Sequence, residues 1–579
     1  MAIPLKADDI ARRQTPSQRL VEVTLILLMF FAIAGDPPPH VNEAHYLCRL
    51  KHYWNPEWCA GDLFLESRDA QLVFVWSFGW VTRFLSLPAT AWVGRFIAWT
   101  LLAWAWQRLS WRLLPVPLAA VLSAALFVTL NERAHLAGEW IVGGVEAKCF
   151  AYAFVLLALT ELLERASTRG EPAGLSRRDK PGGSPLVNST PRLNRRWNRM
   201  WLLLGAATAF HPVVGGWSAV VCGGIWLWDF RRAPALRLAL PGLAGFAILA
   251  SFGVVPALML TWNESAETVA EASRIYVFER LPHHLALLTL PSDEIARRLV
   301  RHGALLAAVW GLVRAWGATG FASASSEPQP GSQNTLAKPV APISCVAQFA
   351  WAAALLAVIG FAIELALWNQ PLVAARLLRY YWFRLTDFAA PLAAALFLTA
   401  LVATGIARRR AWAGWLVMGV LLVAGWHIAN IARARVLNPV PPADAKVRDY
   451  AAWVEACEWV AENTPPDALF LTPRLNHTFK WRAGRPEVVN RKDIPQDARS
   501  IVEWHRRIKD IYYTEIAGVE EPLDSIGILG TERVRELAIK YRADFVLMDR
   551  GQLLSLPREF WNQEYVVYRI QDRTGTGGQ

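Results

Sequence analysis

The sequence predicts an α-helical polytopic membrane protein, with about eleven transmembrane helices and a C-terminal extracytoplasmic α/β domain. Three observations predict it. First, 54% of the 579 residues are hydrophobic and the mean hydropathy is +0.23, values that soluble chains of this length rarely reach. Second, apolar runs near the length of a membrane crossing recur through the first three quarters of the chain. Third, the Lys and Arg residues between those runs cluster in alternate loops. The net charge of +12 therefore reads as membrane orientation rather than nucleic-acid binding, and the 29 Trp residues suit membrane interfaces.

The apolar runs lie near 20–35, 90–107, 116–131, 147–164, 200–211, 213–229, 236–261, 303–317, 345–368, 387–406 and 412–430. The basic flank before the first, with no small-residue cleavage site after it, predicts an uncleaved anchor. Pro212 separates two short runs, giving either a hairpin that reaches the outer face and returns or one kinked helix. The charges favour the hairpin. With the N-terminus inside, it places Arg108 and Arg112, the cluster from Arg165 to Arg199, Arg231, Arg232, Arg237, Arg314, Lys338 and Arg408–Arg410 on the inner side. A kinked helix would move Arg408–Arg410 outside. Loops 168–198 and 318–344, rich in Ser, Pro and Gly, are expected to be disordered. The stretch 69–87 is apolar but interrupted by Arg83 and ended by Pro88, and reads as lying in the outer interface.

The character of the chain changes near 436, which divides a membrane domain (1–435) from an extracytoplasmic domain (436–579). YAAWVEACEWVAEN, ARSIVEWHRRIKDIYY and ERVRELAIKY have helical spacing, whereas DALFLTP, RADFVLMDR and EYVVYRI read as strands. This domain carries neither a Gly-rich phosphate loop nor a nucleophile elbow, so binding or shielding is expected of it rather than chemistry. Of the six Cys residues, Cys48 and Cys59 share one outer loop, which leaves a disulfide between them open.

With this topology the unusual polar residues converge on the outer face. Asp36, His40, Glu43, His45 and Arg49 follow the first run. Glu132, His135, Glu139, Glu146 and Lys148 follow the third, and His211 marks the hairpin tip. A later loop holds Glu264, Glu267, Glu271, Arg274, Glu279, Arg280, His283 and His284; another holds Arg376, Arg379, Tyr380, Tyr381, Arg384 and Asp387. A single charge at a loop tip is ordinarily just solvated. Convergence of many on one leaflet points to function.

The stretch Asn42-Glu43-Ala44-His45-Tyr46, followed by Tyr53-Trp54-Asn55-Pro56 and Gly61-Asp62, resembles the opening of the GT-C fold membrane glycosyltransferases, among them the protein O-mannosyltransferases and the lipid A aminoarabinose transferases. His211-Pro212 is similar to the Lys-Pro turn of that group. The resemblance covers the membrane half in layout and about 30 residues in motif. It implies a GT-C-like fold and inverting transfer of a sugar from a polyprenyl-phosphate donor to a hydroxyl of a glycan, lipid or protein acceptor. The setting it implies is the outer face of a bacterial inner membrane. The chain departs from the pattern at Asn42, where the family usually places an Asp that serves as the base.

Such a reaction needs a carboxylate to take the acceptor's proton and cations to meet the charge growing on the departing phosphate. Glu43 and Asp36 are the candidate bases. Glu43 shares a helical face with Leu47 and Leu50, and apolar neighbours there are expected to raise its pKa. Lys148, Arg280, Arg376, Arg379 and Arg384 are the candidate phosphate partners, and Glu132, His211, His283 and His284 complete the substrate-binding set. Tyr380, Tyr381 and Trp382 are expected to anchor a helix in the interface. No cofactor is required, although a divalent metal is compatible. A metal hydrolase using His40, Glu43, His45, His283 and His284 is a rival reading, but the spacing is not HExxH. A non-catalytic transport or envelope-assembly protein is the other; Glu364, within an apolar run, is the feature that favours it.

Overall fold

The computed structural model describes residues 14–168, 190–230, 237, 239–321, 340–516 and 518–570. Each of the eleven apolar runs is helical: α1 (Pro16–Ala34), α5 (Leu87–Leu113), α6 (Ala119–Arg133), α7 (Ala147–Thr168), α8 (Thr190–Phe210), α9 (Pro212–Phe230), α10 (Leu240–Met259), α13 (Ser292–Phe321), α14 (Val340–Ala366), α16 (Arg384–Ala407) and α17 (Ala411–Leu437). By length and composition alone, α1, α10, α14, α16 and α17 suffice to cross a membrane. Local signals set the ends. Thr15 closes a capping box on α1, and Ser86 caps α5 ahead of Pro88 in the first turn.

Short elements fill several connections between the long helices. α2 (Glu43–Trp54), α3 (Leu63–Glu66) and α4 (Leu72–Phe78) lie between α1 and α5; α11 (Ala266–Arg274), a π-helical turn (Ile275–Arg280) and α12 (Pro282–Leu285) lie between α10 and α13; α15 (Pro371–Leu378) precedes α16. Stretch 69–87 is α4 continued by a 3-10 turn (Gly79–Arg83), packed against α2 and α5. The run at 303–317 is the apolar end of a longer helix beginning at Ser292.

Small residues let the helices close up. A Cβ on Gly215 of α9 would lie 2.1 Å from the Thr208 backbone nitrogen, and one on Gly253 of α10 would lie 2.2 Å from the Thr208 carbonyl oxygen. Both helices therefore touch the α8 backbone directly. His211 is the one residue between α8 and α9, so Pro212 starts a second helix rather than kinking one.

After α17 come α18 (Tyr450–Asn463), α19 (Phe479–Ala483), α20 (Ala498–Tyr512) and α21 (Gly530–Tyr541), with strands β1 (Phe470–Leu471), β2 (Tyr513–Ile516), β3 (Val519–Pro522), β4 (Phe545–Asp549), β5 (Arg558–Trp561) and β6 (Tyr565–Arg569). The sheet order is β1-β4-β6-β5, with β1 parallel to β4 and the other pairs antiparallel. Both faces are covered. Phe545, Leu547, Tyr565 and Val567 pack towards α18 and α19, while Val546, Met548, Val566 and Tyr568 pack towards α20 and α21. The β2–β3 hairpin, β5 and α19 were not expected from the sequence. Val519–Pro522 is fully exposed and β5 mostly so, and neither carries an alternating apolar pattern.

The sheet domain docks on these connections. Ala272 and Ile275 join its core, the Ala498 amide donates to the Leu260 carbonyl, and the Ala443 amide to the Pro39 carbonyl. A buried knot ties the two parts electrostatically. Lys480 Nζ lies 3.2, 2.7 and 2.7 Å from Asp62, Glu487 and Asp493, and His45 Nδ1 is 3.0 Å from Asp493.

The expectation of disorder in the two Ser-, Pro- and Gly-rich loops is corrected in part. Residues 190–198, 318–321 and 340–344 belong to α8, α13 and α14 rather than to disordered loops; helical hydrogen bonding carries past the apolar segment. Residues 169–189 and 322–339, with Lys338, and Arg231 and Arg232 lie outside the described residues. Cys48 and Cys59 are free thiols, each buried in the same apolar core rather than bonded to the other.

Candidate functional site

Glu43 opens α2 and is fully buried. Four donors saturate its carboxylate. Arg95 of α5 bonds it at two points (Nε to Oε1, 2.7 Å; Nη2 to Oε2, 2.5 Å), and the backbone amides of His40 and Val145 add 2.7 and 2.9 Å bonds. Gly144 is what admits it: a Cβ there would stand 2.7 Å from Glu43 Cγ and from His40 Cβ. The expectation of a raised pKa is overturned. Burial pushes the Glu43 carboxyl up, but the hydrogen bonds and charge of Arg95, aided by the two amides, outweigh it and hold the pKa below the ordinary carboxylate value. A carboxylate with every lone pair occupied is a strut. Asp36, the other candidate, accepts from Arg435 Nε of α17 at 3.0 Å.

The residues that gather centre on the connection between α6 and α7. Asn42 Nδ2 donates to Glu146 Oε1 at 3.0 Å. Lys148 Nζ lies 3.3 Å from Glu146 and 3.9 Å from Glu139. Arg384 Nε, at the start of α16, lies 3.1 Å from Glu139, and its Nη1 lies 3.3 Å from His211 Nε2. The Arg384 guanidinium sits over the Tyr381 ring at 3.9 Å, and Tyr381 and Tyr276 share a 2.7 Å hydroxyl bond. Tyr46 is within electrostatic reach of Glu146 and Arg384; burial, followed by Glu146, pushes its phenol well up. Two carboxylates, two cations, an amide, an imidazole and several phenols from five parts of the chain thus form one network. It lies where α2, the 134–146 connection with the start of α7, the α8–α9 turn, the π-helical turn and the start of α16 meet.

The connection that carries Glu139 is rigidly held. Asp387 accepts from the backbone amides of Leu136, Ala137 and Glu139 at 2.5, 2.9 and 3.2 Å. Asn131 Nδ2 bridges the Glu139 and Asp387 carbonyls at 3.0 and 2.9 Å. His284 Nδ1 meets the Ala137 carbonyl from the opposite side.

Of the residues singled out in the sequence, Lys148, His211 and Arg384 meet in this network. Arg280 and His284 lie at its rim. Arg280 donates to the Arg491 and Lys492 carbonyls at 3.0 and 3.3 Å, and His283 stacks on His284 with 4.1 Å between ring centroids. Burial, then Arg280 and Arg298, holds the His283 imidazole down to about 4. The others lie elsewhere. Arg376 bonds the Ala266 carbonyl, Arg379 bonds Ser273, and Glu132 pairs with His427 at 2.5 Å. Glu364 accepts from the Leu288 amide at 2.8 Å and so caps a turn. Among the described residues, no three His, Cys, Asp or Glu side chains are grouped to hold a metal. Sequence reasoning missed Arg95, which lies inside an apolar run without a motif. It noted Glu139 and Glu146 without assigning them a role. The signal for Glu146 was its place two residues before Lys148 and after two glycines.

A family described as a domain of unknown function (DUF6798) matches residues 451–511, which span α18 to α20. No curated protein matches the chain. Among solved structures it is similar to the Archaeoglobus fulgidus oligosaccharyltransferase tethered with an acceptor peptide, at 14% identity over 92% of this chain and 69% of that one, TM-score 0.45. It is likewise similar to AglB from Archaeoglobus fulgidus in complex with an inhibitory peptide and a dolichol-phosphate, at 13% identity over 92% and 69%, TM-score 0.40. ArnT from Cupriavidus metallidurans bound to undecaprenyl phosphate is similar at 12% identity over 98% of this chain and all 100% of that one, TM-score 0.45.

Proposed function

We propose that the protein is a membrane glycosyltransferase that moves a sugar from a polyprenyl-phosphate donor to an acceptor hydroxyl at the outer face of a bacterial inner membrane, with inversion. In this reading the eleven apolar helices span the membrane, the N-terminus is cytoplasmic, and residues 436–579 form the extracytoplasmic domain. The observation that carries the reading is the buried pairing of two carboxylates with two cations, Glu146 against Lys148 and Glu139 against Arg384, at one end of the helix bundle.

Glu146 is the base. It is 6% exposed, and Asn42 fixes its Oε1, leaving Oε2 opposite Lys148. The acceptor hydroxyl gives its proton to Glu146 as its oxygen bonds to the anomeric carbon. The bond from that carbon to the phosphate oxygen breaks, and the electron pair leaves on the polyprenyl phosphate. Lys148 and Arg384 stand against that developing charge in a site of low dielectric, where fixed cations count for more than in water. Asn42 thus takes a supporting place: its amide is a donor to the carboxylate that replaces the family's usual Asp.

Glu146→Gln keeps the shape and the Asn42 contact but takes no proton. In reconstituted membranes, measured on folded and inserted protein, it is expected to lower release of polyprenyl phosphate from polyprenyl-phosphate hexose and pentose donors by about 100- to 10,000-fold. Turnover at the parent rate would remove Glu146 from the reaction.

A further inference from the structure

Residues 490–493 of the C-terminal domain form a short loop that meets Arg280 at the rim of the network, and much of its backbone is tied down. The Asn490 carbonyl accepts from Trp504 Nε1 at 2.9 Å, and the Lys492 amide donates to Asn490 Oδ1 at 2.9 Å. Arg280, from the π-helical turn, holds the next two carbonyls, those of Arg491 and Lys492. Asp493 is locked to Lys480 and His45. Arg491 turns to the Tyr513 hydroxyl at 3.3 Å. The Lys492 ammonium, by contrast, makes no hydrogen bond or ion pair among the described residues, although the side chain is half-buried.

Its electrostatic neighbours are Arg280, Glu146, Asp493 and Lys148. Lys148, Arg384, Arg280 and Lys492 therefore bring four positive charges to a region where Glu139 and Glu146 pair with Lys148 and Arg384, while Arg280, among the described residues, bonds only backbone carbonyls. The nearby carboxylates are committed elsewhere, Asp387 to three backbone amides and Asp493 to Lys480 and His45. Holding an unpaired, half-buried ammonium beside other cations costs free energy unless an anion joins it.

We infer that Lys492, supplied by the C-terminal domain, is a further binding residue for the phosphate group of the lipid-linked donor, completing with Lys148 and Arg384 a cationic cradle across the two parts of the chain. This rests on the glycosyl-transfer reading above and extends it: the extracytoplasmic domain enters the site rather than only shielding it. Burial, then the charge of Arg280, lowers the Lys492 pKa to about 8, so the ammonium is present at neutral pH and a phosphate would strengthen it.

The test is equilibrium binding of radiolabelled undecaprenyl phosphate to the full chain in detergent micelles, with inorganic phosphate in parallel. Lys492→Gln is expected to weaken undecaprenyl phosphate binding about 10- to 100-fold, the worth of one charge-assisted hydrogen bond, with no fall in thermal midpoint. Lys492→Arg is expected to restore it. Parent affinity should fall as pH rises through about 8, where the ammonium is lost, and stay level in Lys492→Arg. Parent-like binding by Lys492→Gln, or a pH profile identical in all three proteins, overturns the role of Lys492. Failure of the parent itself to bind, or equal affinity for inorganic phosphate, instead overturns the lipid-donor reading on which the inference rests.

Discussion

Glu43 and Arg95 meet in a two-point ion pair with both side chains fully out of contact with solvent, joining α2 to α5. Breaking one partner of such a pair leaves a buried charge unmatched, which typically costs about 3–5 kcal/mol. Glu43→Gln is therefore expected to lower the thermal midpoint and the folded yield in detergent. Glu43→Gln combined with Arg95→Gln should recover part of the loss, since neither charge is then stranded. A single variant as stable as the parent would show the pair to be dispensable.

The pair also sets a response to acid. The folded pKa of Glu43 lies below its ordinary value, so the stabilisation is fully present above the ordinary carboxylate pKa of about 4.3 and is lost as pH falls through the lowered folded value. Thermal midpoints measured from pH 7 down to 3 should fall less steeply in the Glu43→Gln/Arg95→Gln protein than in the parent.

Asn42 orients Glu146 through one hydrogen bond. Asn42→Leu removes it and is expected to slow sugar transfer about tenfold, the scale of one buried hydrogen bond, with a smaller effect on donor binding. Separate measurement of kcat and KM decides. A change confined to KM would place Asn42 in donor recognition instead.

Lys480 holds three carboxylates of a buried knot, two of them in the C-terminal domain and one, Asp62, in the connection between α1 and α5. Lys480→Met would leave those carboxylates facing each other. The C-terminal domain is then expected to undock, seen as faster proteolysis after α17 and a loss of about 3–5 kcal/mol. Parent-like protease resistance would contradict the knot's role.

Topology is tested independently of chemistry. Reporter fusions after residues 180, 330 and 408 should signal the cytoplasm and fusions after 440 the outside. An inside signal at 440 would end the eleven-span arrangement.

The sequence by itself determined where the helices lie, because an apolar run about 20 residues long has few other stable fates and its backbone must satisfy itself. Period-2 and period-3.6 patterns likewise marked β4, β6, α18, α20 and α21, each of which packs an apolar face. The site was legible only as a set of polar residues on one side of the bundle. Which of them meet was decided by tertiary structure. Glu43 lies beside Asn42 in the chain, yet its carboxylate faces Arg95, 52 positions on, while Asn42 reaches 104 positions on to Glu146. The Lys492 loop comes to the network from the far end of the protein, held by Arg280 and Lys480. Periodicity reports which face of an element is apolar and carries no information on which distant charge will fill the space opposite. That is fixed by packing at positions such as Gly144, where the absence of a single carbon lets a carboxylate in.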